Sequence, residues 1–74
     1  MNEKQEYLVY RGESQDVMYR AGTADEAAAY FATRRGAIGE VITVKQRGTN
    51  KQWEYIIGQD IETGAIYASP FPAA

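Results

Sequence analysis

The stretch Thr23-Ala24-Asp25-Glu26-Ala27-Ala28-Ala29-Tyr30-Phe31-Ala32-Thr33-Arg34-Arg35-Gly36 is the key to the architecture, because it carries a start signal, a helical period and a stop signal together. Thr23 followed three residues later by Glu26 reads as a capping box: the hydroxyl accepts from the Glu26 amide and the carboxylate reaches back to the cap amide. Asp25 and Glu26 stand in the first turn and Arg34 and Arg35 in the last, the signs a helix dipole favours at its two ends. The alanines between them have high helix propensity. Gly36 is expected to take the left-handed position that closes the helix. The spacing therefore predicts a helix over 24–35. Ala24, Ala27, Ala28 and Phe31 fall at i, i+3, i+4 and i+7, so they form its apolar stripe, with Phe31 as anchor and Tyr30 at the flank.

Outward from this segment the hydrophobic period changes to two. Residues 6–11 (Glu6-Tyr7-Leu8-Val9-Tyr10-Arg11) and 17–21 (Val17-Met18-Tyr19-Arg20-Ala21) read as strands around a turn at 12–16. That connection is too short for a parallel crossover, so the pair is expected to be a hairpin. After the helix, strands are predicted at 40–46, 52–57 and near 65–69, with turns at 47–50 and 60–64, Gly64 taking positive φ. Pro70 and Pro72 are expected to stop pairing and leave a tail. The order is ββαβββ. The expected fold class is α+β: a single antiparallel sheet of about five strands with one helix packed on one face, forming one domain over 1–74. One helix leaves the other sheet face without a covering element. Alternation places Trp53, Tyr55 and Ile57 on one face of the fourth strand, and Glu54 and Ile56 on the other.

Composition narrows the chemistry. The 74 residues carry 8 Lys+Arg against 10 Asp+Glu, a net charge of −2, which argues against a nucleic-acid binder held by bulk charge. With 45% hydrophobic and 24% charged residues, the chain has the make-up of a folded globule. Cysteine and histidine are both absent, so disulfides, thiolate nucleophiles, Cys/His zinc sites and imidazole catalysis are excluded. Asp60 and Glu62 lie in a turn with no third ligand in sequence beside them and read as solvated. Ser14 and Ser69 have no base, and the glycines do not form a phosphate loop. No cofactor is expected, and no enzymatic activity. The polar N-terminal residues and the lack of a long apolar run predict a cytoplasmic protein without a membrane anchor.

What remains is surface. Six tyrosines and one tryptophan supply amphipathic contact area of the kind interfaces favour. The basic residues fall in two groups: Arg34 and Arg35 at the end of the helix, and Lys45, Arg47 and Lys51 around the turn beside Trp53. Such residues either keep a rim soluble or form a contact surface, arginine being favoured for its planar donor fork. A basic rim beside aromatics can also clamp a single strand of nucleic acid, although no RNP signature is present.

The run of Tyr7-Leu8-Val9, the helix capped by Ala21-Gly22-Thr23, Gly39-Glu40-Val41-Ile42-Thr43-Val44 and the strand holding Trp53 and Tyr55 resembles the small anti-CRISPR proteins of phages and mobile elements. The likeness is to a type I-F inhibitor family with a five-stranded antiparallel sheet and one helix, and it covers most of residues 6–58. It implies a non-enzymatic inhibitor in the host cytoplasm that binds the backbone subunits of a crRNA-guided Cas effector complex and prevents target DNA from pairing. Family members make contacts around the helix C-terminus, which makes Arg34 and Arg35 the leading partner-binding candidates; Lys45, Arg47, Lys51 and Trp53, grouped around the 47–50 turn, are expected to form a second surface. Two other readings stand beside it: a small nucleic-acid-binding accessory protein using an aromatic sheet face, and a homodimeric structural or regulatory module.

Overall fold

A computed structural model of the chain describes residues 4–71. The elements are β1 (Gln5–Arg11), β2 (Ser14–Ala21), α1 (Ala24–Arg34), β3 (Val41–Gln46), β4 (Gln52–Gln59) and β5 (Ile66–Pro70). They form an α+β fold with one five-stranded sheet, ordered β2-β1-β3-β4-β5 and antiparallel throughout. β2 and β3 therefore run parallel to one another on either side of β1. The segment joining them must cross the sheet, and α1 lies in that crossover, covering one face.

The helix follows from its sequence with two changes. Thr23 caps it as expected, its Oγ1 accepting the Glu26 amide at 3.1 Å, but the Glu26 carboxylate accepts the Tyr30 hydroxyl, also at 3.1 Å. Gly36 does not adopt left-handed φ; the glycines with positive φ are Gly12, Gly39, Gly48 and Gly64. Instead, the amides of Arg35 and Gly36 both donate to the Phe31 carbonyl, at 2.8 and 3.0 Å. Glycine is needed at 36 for room, since a Cβ there would collide with Ile57 Cδ1 and lie 2.9 Å from Ala32 Cα.

Strand boundaries also differ from expectation at β2, β4 and β5, with β4 running two residues beyond 57 to Gln59. The β1–β2 turn is only Gly12-Glu13, with Gly12 at φ 66° as a type II′ hairpin turn requires, and Arg11 pairs directly with Ser14. Asp16 is the extra residue of a β-bulge, because Val9 pairs with Val17 and Tyr10 with Gln15. At the other edge Pro70 belongs to β5 and faces Tyr55. An edge strand tolerates proline because only one side of it needs amides for pairing, and the next amide, Phe71, still donates to the Glu54 carbonyl at 2.8 Å. Of the tail expected from Phe71 onward, Phe71 is thus still bonded to β4, and residues 72–74 lie outside the described residues.

Between helix and sheet sits a thin core. Phe31, Ile42, Val44, Val9, Tyr55 and Ile57 are its large buried side chains, and Ala24, Ala27, Ala28 and Ala32 complete the helix contribution. Trp53, Val17 and Tyr19 pack at its margin. The alternate residues of the same strands point to the opposite face, which the helix leaves bare.

Substituting Gly36 tests the close seam. Gly36→Ala should lower unfolding free energy by about 1–3 kcal/mol in urea titration, the usual cost of overpacking. Because Ile57→Val removes the Cδ1 that the new methyl meets, it should cost less in the Gly36→Ala background than in the wild type. Wild-type stability in the Gly36→Ala variant would show that the seam has slack.

Candidate functional site

Helix α1 is held at both ends by polar contacts that link distant parts of the chain. At its N-terminal end the Tyr55 hydroxyl, reaching up from β4, donates to Asp25 Oδ1. At its C-terminal end the Arg11 guanidinium donates to the Arg35 carbonyl at 2.6 Å and pairs with the Glu40 carboxylate, which also accepts the Ala37 amide at 3.1 Å. Arg11 thus satisfies an orphan helix carbonyl and organises the loop into β3, while its guanidinium lies 5.2 Å from the Phe31 ring centroid. Sequence reading passed over Arg11 because its partners are 24 and 29 residues away.

The six candidate residues fall in three separate places. Arg34 and Arg35 stand together at the helix C-terminal end. Arg34 stacks over the Tyr30 ring at 5.0 Å, whereas Arg35 is paired with Asp16 at 3.2 Å, on the β2 bulge. At the opposite end of the helix, Lys51 and Trp53 line a shallow groove of about 300 Å³ with Tyr7, Gln46, Thr23 and Asp25. Trp53 meets Tyr7 edge-on at 6.1 Å between centroids, on the helix side of the sheet.

Lys45 lies on the bare face, its Nζ 4.6 Å over the Tyr10 ring, beside a concavity of about 340 Å³ lined also by Thr43 and Gln52. Arg47 pairs with Glu6 at 2.8 Å, and Arg20 lies 3.6 Å from the same carboxylate. The expected second surface of Lys45, Arg47, Lys51 and Trp53 is therefore not one patch. Strand alternation sends Lys45 and Trp53 to opposite faces, and Glu6 engages Arg47.

The bare face is assembled from rows that cross the strands. Met18, Leu8, Lys45 and Gln52 align in one row; Tyr10, Thr43 and Glu54 form the next; Val41, Ile56 and Ser69 form a third. Half-buried Leu8, Tyr10 and Ile56 flank a central strand that presents Val41, Thr43 and Lys45, and the charges of the face are mixed. Sequence alternation identified these two faces but gave no sign of which rows would align.

Near the end of the sheet where α1 finishes, Ile38, Val41, Ile61 and Tyr67 remain exposed. Of these, Ile61 carried a sequence signal, as a lone apolar residue between Asp60 and Glu62 in a turn. Among the described residues no group of three acidic side chains converges as a metal site, and no helix is long and apolar enough to cross a membrane.

Two phenols and one carboxyl are displaced from their ordinary ionisation. Burial, and then the hydrogen bond to Asp25, push the Tyr55 phenol well above its usual value. The hydrogen bond to Glu26 raises Tyr30. Asp60 is held down by the backbone amides of Thr63 and Glu62.

Comparison with protein-family models, with curated proteins and with solved structures gives no match.

The raised Tyr55 pKa sets the sign of a pH effect. The folded state favours the neutral phenol, so this stabilisation is complete below the unfolded tyrosine value of about 10 and is lost as pH rises above it. Thermal denaturation should show melting temperature falling above about pH 10, and Tyr55→Phe should flatten that fall while lowering stability near neutral pH. In spectrophotometric titration of the folded protein, Tyr55→Phe should remove the ionisation that comes latest as pH rises. A full complement of freely ionising tyrosines in the wild type would refute the link to Asp25.

Proposed function

We propose that the chain is a non-enzymatic binding protein that acts by steric occupation of a larger partner, in the manner of small inhibitors of crRNA-guided Cas effector complexes. The observation that carries the reading is the bare sheet face. A domain of 74 residues that leaves one face of a five-stranded sheet uncovered, with half-buried Leu8, Tyr10 and Ile56 on either side of its central strand, has the form of one side of an interface. The specific partner comes from the sequence resemblance. The fold implied by that resemblance, five antiparallel strands and one helix, is the fold of this chain.

In this reading the helix C-terminal end supplies the charged contacts. Among the described residues Arg34 is held only by the Tyr30 ring and a long 3.5 Å bond to the Tyr30 carbonyl, so its guanidinium can turn toward an acidic group or compete for a DNA path. Arg35 is less free because of Asp16. The nucleic-acid reading draws on Lys45 and Tyr10 rather than Trp53, which faces the helix. It is the weaker of the two, because Glu6 and Glu54 offset Arg20 and Lys45 on the same face. The homodimer reading uses the same bare face and is separated from the first by sedimentation.

The test is retention of an assembled crRNA–Cas complex on the immobilised protein, followed by target-DNA binding. Retention with loss of DNA binding is expected. Arg34→Glu combined with Arg35→Gln should weaken retention by about tenfold or more while leaving circular dichroism unchanged, since surface pairs such as Arg35–Asp16 add about 0–1 kcal/mol. Glutamine at 35 avoids setting a second carboxylate against Asp16. Absence of retention across type I and type II complexes would remove the Cas reading. Full retention by the double variant would remove these two residues from the interface.

A further inference from the structure

We propose that the β4–β5 turn is a preformed anchor by which Ile61 enters an apolar pocket on a protein partner whose rim is basic. This deepens the binding role above and rests on it only for the identity of the partner.

Ile61 is 99% exposed, far beyond the other large apolar side chains left at the surface, such as Ile38 at 61% and Tyr67 at 46%. The exposure does not come from a loose loop. Asp60 Oδ1 accepts the amides of Glu62 at 2.8 Å and Thr63 at 3.0 Å. The Asp60 backbone donates to the Ala65 carbonyl at 2.8 Å and accepts from the Gly64 amide at 2.8 Å. Gln59 Nε2 closes the base by donating to the Gly64 carbonyl at 3.0 Å, and Gly64 supplies the φ of 77° that lets the chain turn back. Ile61 is therefore displayed on a turn that is bonded on both sides of it. Little conformational freedom remains for binding to remove, which is what makes an exposed apolar side chain an effective anchor.

Charge and shape indicate the partner. Asp60 and Glu62 flank Ile61, and the amides on Asp60 keep its carboxylate ionised. Behind the turn, the Tyr67 ring lies across Gly58, where a Cβ would come within 2.6 Å of it. Between Tyr67 and the turn is an open concavity of about 570 Å³, lined by Gln59, Asp60, Ile61, Glu62 and Tyr67. An arginine or lysine side chain suits this space: its methylenes lie along Ile61 and the ring, and its cation faces the ring and the two acids. A phosphate backbone is repelled by the same acids. The surface thus fits a protein that offers an apolar pocket beside a basic side chain.

Two arms test the proposal on the full chain. In the first, the probe is the assembled crRNA–Cas effector complex; Ile61→Asp should weaken binding by about 30-fold, as for a central anchor, with the fold unchanged because the side chain touches solvent. Unchanged affinity for a complex that the wild type does bind overturns the anchor and leaves the binding reading intact. If the wild type binds no Cas complex, the partner reading fails and the second arm decides. There, p-benzoylphenylalanine is placed at position 61, with position 13 as control, and irradiated in bacteria expressing the chain. Support is a protein adduct specific to position 61, mapped to apolar residues beside Lys or Arg, and competed by excess wild type but not by Ile61→Asp. No adduct, or an adduct only with nucleic acid or a second copy, overturns it.

Discussion

Helix α1 is fastened to the sheet by its two ends, and the remaining architecture follows from that attachment. Its buried side chains are alanines apart from Phe31, so it contributes little apolar area for its length, at about 25 cal/mol per Å². Small side chains bring it close to the strands, and the missing Cβ of Gly36 lets the end of the helix approach Ile57. Its placement is then set by directional contacts, Tyr55 to Asp25 at one end and Arg11 to the Arg35 carbonyl at the other. β1 and β4 are thereby tied to the one element that covers them. Since β1 and β4 lie on either side of β3, the central strand is held beneath the helix as well.

This economy has a consequence on the far side of the sheet. One short helix can seal only one face, so every second residue of the strands is left to water. Leu8, Tyr10 and Ile56 are only partly shielded there, by neighbours such as Lys45, whose ammonium sits on the Tyr10 ring. The exposed apolar residues near the end of the helix extend the same theme. Arg34, Ile38 and Ile61 offer a cation, a loop hydrophobe and a turn hydrophobe without help from any buried polar group. Surfaces of this kind have the mixture of apolar and charged groups found where proteins recognise one another.

Much of the architecture was legible because local signals agreed with the global fold. The Thr23 cap, the alanine run and the strand alternation all point the same way. Failures came where tertiary pairing outweighed local preference. Ser14, Gln15 and Asp16 look like a turn, yet pairing with β1 draws them into β2 and a bulge absorbs the mismatch. A glycine at 36 suits either of two requirements, a left-handed cap or a close contact; the structure uses only the second, and the residue type alone cannot separate them. The basic cluster was misleading for a geometric reason. Lys45, Arg47, Lys51 and Trp53 are close in sequence, but a strand period of two distributes neighbours to opposite faces. Glu6, 41 residues from Arg47, engages it across the sheet, a pairing that no local window contains.

The two outer strands end the sheet in different ways. β2 carries the Asp16 bulge, which bends it and breaks the even spacing of its free amides and carbonyls. β5 is only five residues long and finishes in Pro70. Neither offers a long flat template for another chain, so growth into fibrils by strand addition is discouraged at both margins. The uncovered sheet face is thus not accompanied by a margin that invites cross-β assembly. The same margins leave the broad face and the end of the sheet, rather than its edges, as the ground open to contact.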